Sequence, residues 1–147
     1  MSFPGIHLGI TRTNTSTEGP DMAIGTVVVE GGNIYEYAQN SSGTVAATGA
    51  PAYMMATQGV FGKDADKLGD AIANGAWMAA VPASGYGFIL KRGRSATLLG
   101  DTATAAGESI YAAADIWGTG AIATHHIAGQ AVTEDTASVF TGVINCV

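Results

Sequence analysis

The clearest regularity along the chain has a period of two. From Tyr86 to Arg92 an extended backbone places Tyr86, Phe88, Leu90 and Arg92 on one face and Gly87, Ile89 and Lys91 on the other. Ser84-Gly85 opens this run and Gly93 closes it, which predicts a strand over Tyr86–Arg92. Its first half is apolar and its second half basic, so Tyr86, Phe88 and Leu90 are expected to hold the core together. Arg92 and Arg94 are expected to face a neighbour. A second alternating stretch, Thr26-Val-Val-Val-Glu30 and Asn33-Ile-Tyr-Glu-Tyr-Ala38 around Gly31-Gly32, has the form of a hairpin with a two-residue turn. In that register Val28 faces Tyr35 and Thr26 faces Tyr37, an aromatic and β-branched ladder.

The remaining pattern is weaker. Ala50 to Asn74 is apolar without a clear period, and Asp64–Asn74 suits a short helix. Asp64 would be its cap, Ala65, Leu68 and Ile72 would share a face, and Gly75 would end it. Further short strands are predicted at Gly75–Val81, Ala96–Leu99, Ser109–Ala113, Ala121–Thr124, Ile127–Val132 and Val139–Val147, with a turn at Gly100-Asp101. In the last strand Phe140, Gly142, Ile144 and Cys146 share one face. Turn formers recur roughly every 8 to 12 residues, the spacing of a small sandwich or barrel. Residues 1–22 read differently: Pro4, Gly5, Gly9, Gly19 and Pro20 flank a Thr/Asn/Ser run. They suit an extended N-terminal arm anchored by Phe3, Ile6, Leu8 and Ile10, or a disordered tail. The expectation is an all-β chain with at most one short helix: an arm over 1–22 and a compact β-barrel or β-sandwich over 23–147.

Composition changes this picture in one direction. Charged residues make up only 12% of the chain, and Gly accounts for 21 of 147 residues. Leu, Ile, Val and Phe together number 30, close to the level at which a chain struggles to fill a core. With so little charge the outcome is not disorder but a folded subunit that covers weakly polar surface with copies of itself or with a larger assembly. The net charge of −6 argues against nucleic acid as a general partner. Cys146 is the single cysteine, so no intrachain disulfide framework exists. The opening Met-Ser-Phe-Pro-Gly lacks the basic and apolar regions of a secretory leader, and no apolar run has the length of a membrane span. Asn14-Thr-Ser and Asn40-Ser-Ser match a glycosylation pattern that has meaning only in a secreted chain.

No motif calls for catalysis, a metal or a cofactor. Gly62-Lys63 lacks the Gly and Ser/Thr of a phosphate loop, since Thr57 and Asp64 stand in those places. Asp64-Ala-Asp66-Lys-Leu-Gly69 begins like a calcium loop, but Leu68 fills a ligand position and Gly75 the place of the final Glu. His125 and His126 point to opposite faces of any strand and cannot chelate together. No Gly-x-Ser-x-Gly elbow occurs. Gly93-Arg94-Ser95 resembles a short element of trimeric dUTP pyrophosphatases, whose other motifs are absent. The basic cluster is the feature that stands out, because Lys91, Arg92 and Arg94 are three of six Lys and Arg residues. Either it balances carboxylates such as Asp101 at a sheet end, or it contacts an acidic protein neighbour through bidentate arginines.

Several stretches together resemble the small β-rich decoration, or cement, proteins of tailed-bacteriophage heads. They are Gly25-Thr-Val-Val28, Ile34-Tyr-Glu-Tyr37, Met78 through Arg94, Glu108 through Ala121, and a strand closing near the C-terminus. The likeness spans roughly residues 25 to 147, with Ala50–Asn74 as a departure. It implies a β-tulip-like fold and a non-enzymatic virion protein made in the host cytoplasm. Such a protein binds the outer surface of the major capsid protein as a homotrimer or dimer, the trimer preferred, without nucleic acid or membrane. The residues expected to make the capsid or subunit contact, read from the arm and the basic cluster, are Phe3, Ile6, Leu8, Arg12, Lys91, Arg92 and Arg94. The competing expectation is a receptor- or carbohydrate-binding module of a phage tail or fibre, with Trp77, Trp117 and the tyrosines as stacking platforms.

Overall fold

The structure, a computed structural model, describes residues 9–63, 73–100, 104–119, 128–133 and 138–146. Among these the regular structure is β throughout, with no helix. The strands are β1 (Val27–Glu30), β2 (Asn33–Asn40), β3 (Pro51–Met54), β4 (Val60–Gly62), β5 (Ala73–Trp77), β6 (Tyr86–Leu99), β7 (Ser109–Ala113), β8 (Ile116–Thr119), β9 (Gly129–Ala131) and β10 (Val139–Asn145). The sequence-predicted helix falls largely outside the described residues. Its last two positions, Ala73 and Asn74, are strand: they open β5, against the expectation.

Five of these strands close on themselves. β2 pairs with β4, β4 with β3, β3 with β5, β5 with β6, and β6 returns to β2, giving a small barrel. Closure removes the free edges these strands would otherwise present. Each strand sends one side chain into a shared interior: Ala38, Ala52, Phe61, Trp77 and Ile89, all fully or almost fully buried. Phe61 and Trp77 meet edge to face, their ring centroids 6.4 Å apart at 86°, a favoured arrangement for aromatic quadrupoles. The interior is therefore filled from the Ile89 face of β6, while Phe88 and Leu90, expected with Tyr86 to hold the core together, belong to a second core on the other face of the strand. Phe88 and Leu90 are buried on the outside of the barrel, where they join Tyr35, Tyr37, Leu98, Ile110, Trp117, Phe140 and Ile144. Tyr86 packs against that group from its margin.

β6 does not stop at Gly93. It runs 14 residues and carries a second group of strands in the order β6-β10-β9-β7-β8. β5 pairs with Leu90 and Ile89, and β10 takes over from Arg92 onward. An isolated bridge between Gly100 and Trp117 brings β8 back to the end of β6. The second lobe is thus a curled sheet whose apolar face packs on the outer wall of the barrel. Trp117 fastens the two, donating from its buried indole Nε1 to the Gly49 carbonyl at 2.8 Å. The β10 pattern follows the sequence expectation, with Phe140, Gly142, Ile144 and Cys146 buried and Val139, Val143 and Asn145 exposed.

The hairpin also forms as read, pairing Val28 with Tyr35. Gly31 and Gly32 both have positive φ, 58° and 82°, as a primed two-residue turn requires. The described part of the arm lies against its own chain. Asn14 is buried and exchanges both backbone hydrogen bonds with Tyr86, at 2.9 and 2.8 Å. Asn40, the other residue of a glycosylation-like triplet, has no exposed surface. Its amide nitrogen lies 3.0 to 3.1 Å from the carbonyls of Thr44, Val81 and Pro82 and ties the β2 end to two loops.

Candidate functional site

The basic half of β6 begins where the strand leaves the barrel. Arg92 pairs with Ile34 of β2 on one edge and Asn145 of β10 on the other, and Arg94 pairs with Val143. Gly93 lies between them with a φ of 126°, a value L side chains rarely adopt, and a Cβ there would overlap the Asn33 Oδ1. The overlap reveals the device that shapes the site. The Asn33 carboxamide accepts from the Arg94 N–H at 3.0 Å and donates to the Arg94 carbonyl at 3.0 Å. It also lies 2.8 Å from the Tyr35 hydroxyl. A side chain thus replaces the strand residue that β2 lacks beyond its end and holds Arg94 in line with Arg92.

Both guanidinium side chains lie on the exposed face of the second sheet, beside exposed Val143 and Asn145 and next to Gln130 of β9. Among the described residues no carboxylate forms an ion pair with either arginine. Asp101, one expected counter-charge, is outside them. In a chain of net charge −6 the result is a localised cationic spot with the exposed Val143 beside it.

The other residues expected to join this contact do not gather there. Lys91 points the opposite way, as the alternation required, into the mouth of the barrel. Its Nζ is 3.4 Å from Glu36 Oε2 and 5.4 Å from the Phe61 ring centroid, with 20% and 12% of the lysine and glutamate side chains exposed. Arg12 is engaged by Asp21, with Nε at 2.6 Å from Oδ2 and a terminal guanidinium nitrogen at 3.2 Å from Oδ1. Phe3, Ile6 and Leu8 lie outside the described residues. The sequence reading missed Asn33, Val143 and Asn145 as parts of this surface. Asn33 at a strand start beside a turn was the available signal, but its partner sits 61 residues away.

Other places that could hold chemistry are sparse. An apolar cavity of about 170 Å³ is lined by Val45, Ala46, Ala50, Pro51, Trp77 and Leu99, with Lys63 and Asp115 also on its wall 3.9 Å apart. Among the described residues no three His, Cys, Asp or Glu side chains converge as a metal site, and no helix is long and apolar enough to cross a membrane. Cys146 is buried, and removal from water pushes its thiol up to about 11 despite the nearby Lys91. Of the expected stacking residues Trp77, Trp117, Tyr35, Tyr37 and Tyr53 are buried, and only Tyr86 and Tyr111 are partly exposed. No family model, curated protein or solved structure matches this chain.

Proposed function

We propose that this chain is a non-enzymatic structural subunit that binds the outer surface of a phage capsid and reinforces the head, as a decoration or cement protein. One observation carries the reading: Arg92 and Arg94, aligned by the Asn33 clamp, are exposed and without an ion-pair partner among the described residues of an acidic chain. Two exposed arginines on one face beside Val143 suit an acidic protein surface, where charge fixes register and apolar contact supplies affinity. The partner under this proposal is the major capsid protein, and the location is the virion surface. Binding of many copies strengthens a shell by mass action with no reaction at all. The interior position of both tryptophans favours this over carbohydrate stacking.

The test mixes purified protein with undecorated heads and images them. Ordered surface density at saturating protein is the expected result, and bare heads would refute the proposal. Charge reversal at Arg92→Glu with Arg94→Glu is expected to reduce occupancy by at least tenfold while the circular dichroism spectrum stays that of the wild type.

A further inference from the structure

The first strand is unfinished on one side. β1 pairs with β2 along one edge, and among the described residues nothing pairs with the other. Antiparallel strands direct the backbone groups of alternate residues to opposite edges. The Tyr37 N–H donates to the Thr26 carbonyl at 2.8 Å, so Thr26, Val28 and Glu30 face β2. The amide and carbonyl of Val27 and of Val29 therefore face outward. The same two residues are 59% and 70% exposed, the latter the most exposed large apolar residue described. An edge with aligned donors, acceptors and valines, and no Pro, Lys or bulge, lacks the usual protection against pairing.

We propose that β1 pairs with β1 of a second copy of this chain, antiparallel about a two-fold axis at Val28. Backbone groups that face outward call for a strand as the occupant, and the register follows from which groups are free. Only Val27 opposite the partner copy's Val29, and the reverse, engages all four donors and acceptors of each edge segment in mutual pairs. That register also places two pairs of valines on one face and Val28 opposite Val28 on the other. Glu30 falls opposite Thr26, so the two glutamates lie at opposite ends and no like charges meet. Such a contact is isologous and closes as a dimer, whereas a trimer needs a head-to-tail contact. Four residues a side make a small interface, so the dimer is expected to be a weak one. This inference is independent of capsid binding.

Sedimentation equilibrium over a concentration series, on the intact chain, tests it. A monomer–dimer equilibrium is expected, and Val27→Lys with Val29→Lys is expected to abolish the dimer while leaving the far-ultraviolet spectrum unchanged, since both positions are exposed. Mild oxidation of a Val27→Cys, Val29→Cys double variant should give a cross-linked dimer, whereas neither single variant should cross-link beyond the wild-type background from buried Cys146. A monomer at every concentration, a trimer, or a dimer indifferent to the lysines would overturn the proposal. Cross-linking by a single variant would overturn the register.

Discussion

The ion pair in the barrel mouth gives the sharpest energetic test. Lys91 Nζ and Glu36 Oε2 are 3.4 Å apart. At an effective dielectric constant of about 20 they attract by about 5 kcal/mol. Withdrawing both from water costs several kcal/mol per ion, and the remaining exposure, 20% and 12%, relieves part of that cost. The two contributions nearly cancel for the pair, but not when one partner is removed. Glu36→Leu leaves an ammonium beside Phe61 and Ile89, and Lys91→Met leaves a carboxylate in the same mouth. Each single change is expected to destabilise by about 2–3 kcal/mol, at or just below the roughly 3–5 kcal/mol of a fully buried broken pair because water still reaches the site. The double variant substitutes an apolar pair of similar volume and is expected to lie within about 1 kcal/mol of the wild type. Urea unfolding followed by the fluorescence of Trp77 and Trp117 measures all four corners of the cycle. Single effects that simply add in the double variant, within about 0.5 kcal/mol, would show that the two groups do not feel each other.

Three further outcomes follow from the same structure. Gly93→Ala is expected to cost about 3 kcal/mol in urea unfolding, because the residue must hold a positive φ while its new methyl displaces Asn33. Trp117→Phe keeps most of the packing but leaves the Gly49 carbonyl without its indole donor, and a loss of about 1–2 kcal/mol is expected. Cys146 has a folded pKa of about 11 against an ordinary value of 9.0. Its contribution to stability is therefore complete below pH 9 and declines as pH rises through about 11, because the unfolded thiol ionises first. Iodoacetamide should leave the folded thiol nearly untouched at pH 8 and label it rapidly in urea.

Much of the fold was legible where alternation and turn chemistry agreed. The hairpin around Gly31-Gly32, β7 at Ser109–Ala113 and the buried face of β10 all follow from local pattern, since a one-residue slip would turn each apolar set to water. β3 and β4 were not legible, because Pro51–Met54 and Val60–Gly62 are too short to show a period and take their pairing from partners elsewhere in the chain. Gly93 misled for a physical reason: a glycine that usually ends a strand here permits the conformation by which β6 continues. Both faces of β6 are buried, so alternation alone could not show that Ile89 fills the barrel while Phe88 packs outside it. For the site, the exposure of Arg92 and Arg94 was expected, and so was the separation of Lys91 from Arg92. What no local pattern could supply was the carboxamide of Asn33, which reaches across to the strand it supports.

The shared strand β6 also sets the order in which a nascent chain can complete itself. Every strand of the barrel precedes Gly100, whereas the partner that covers the second half of β6 begins at Val139. As the chain leaves the ribosome, the ring can close first, with Leu98 and the edge beyond Arg92 still uncovered. Strands β7 to β9 emerge next, and apart from the single bridge between Gly100 and Trp117 they join β6 only through β10. β10 is therefore the stretch that seals the apolar seam between the lobes, and a chain truncated before Val139 would carry a finished barrel with an open, adhesive flank.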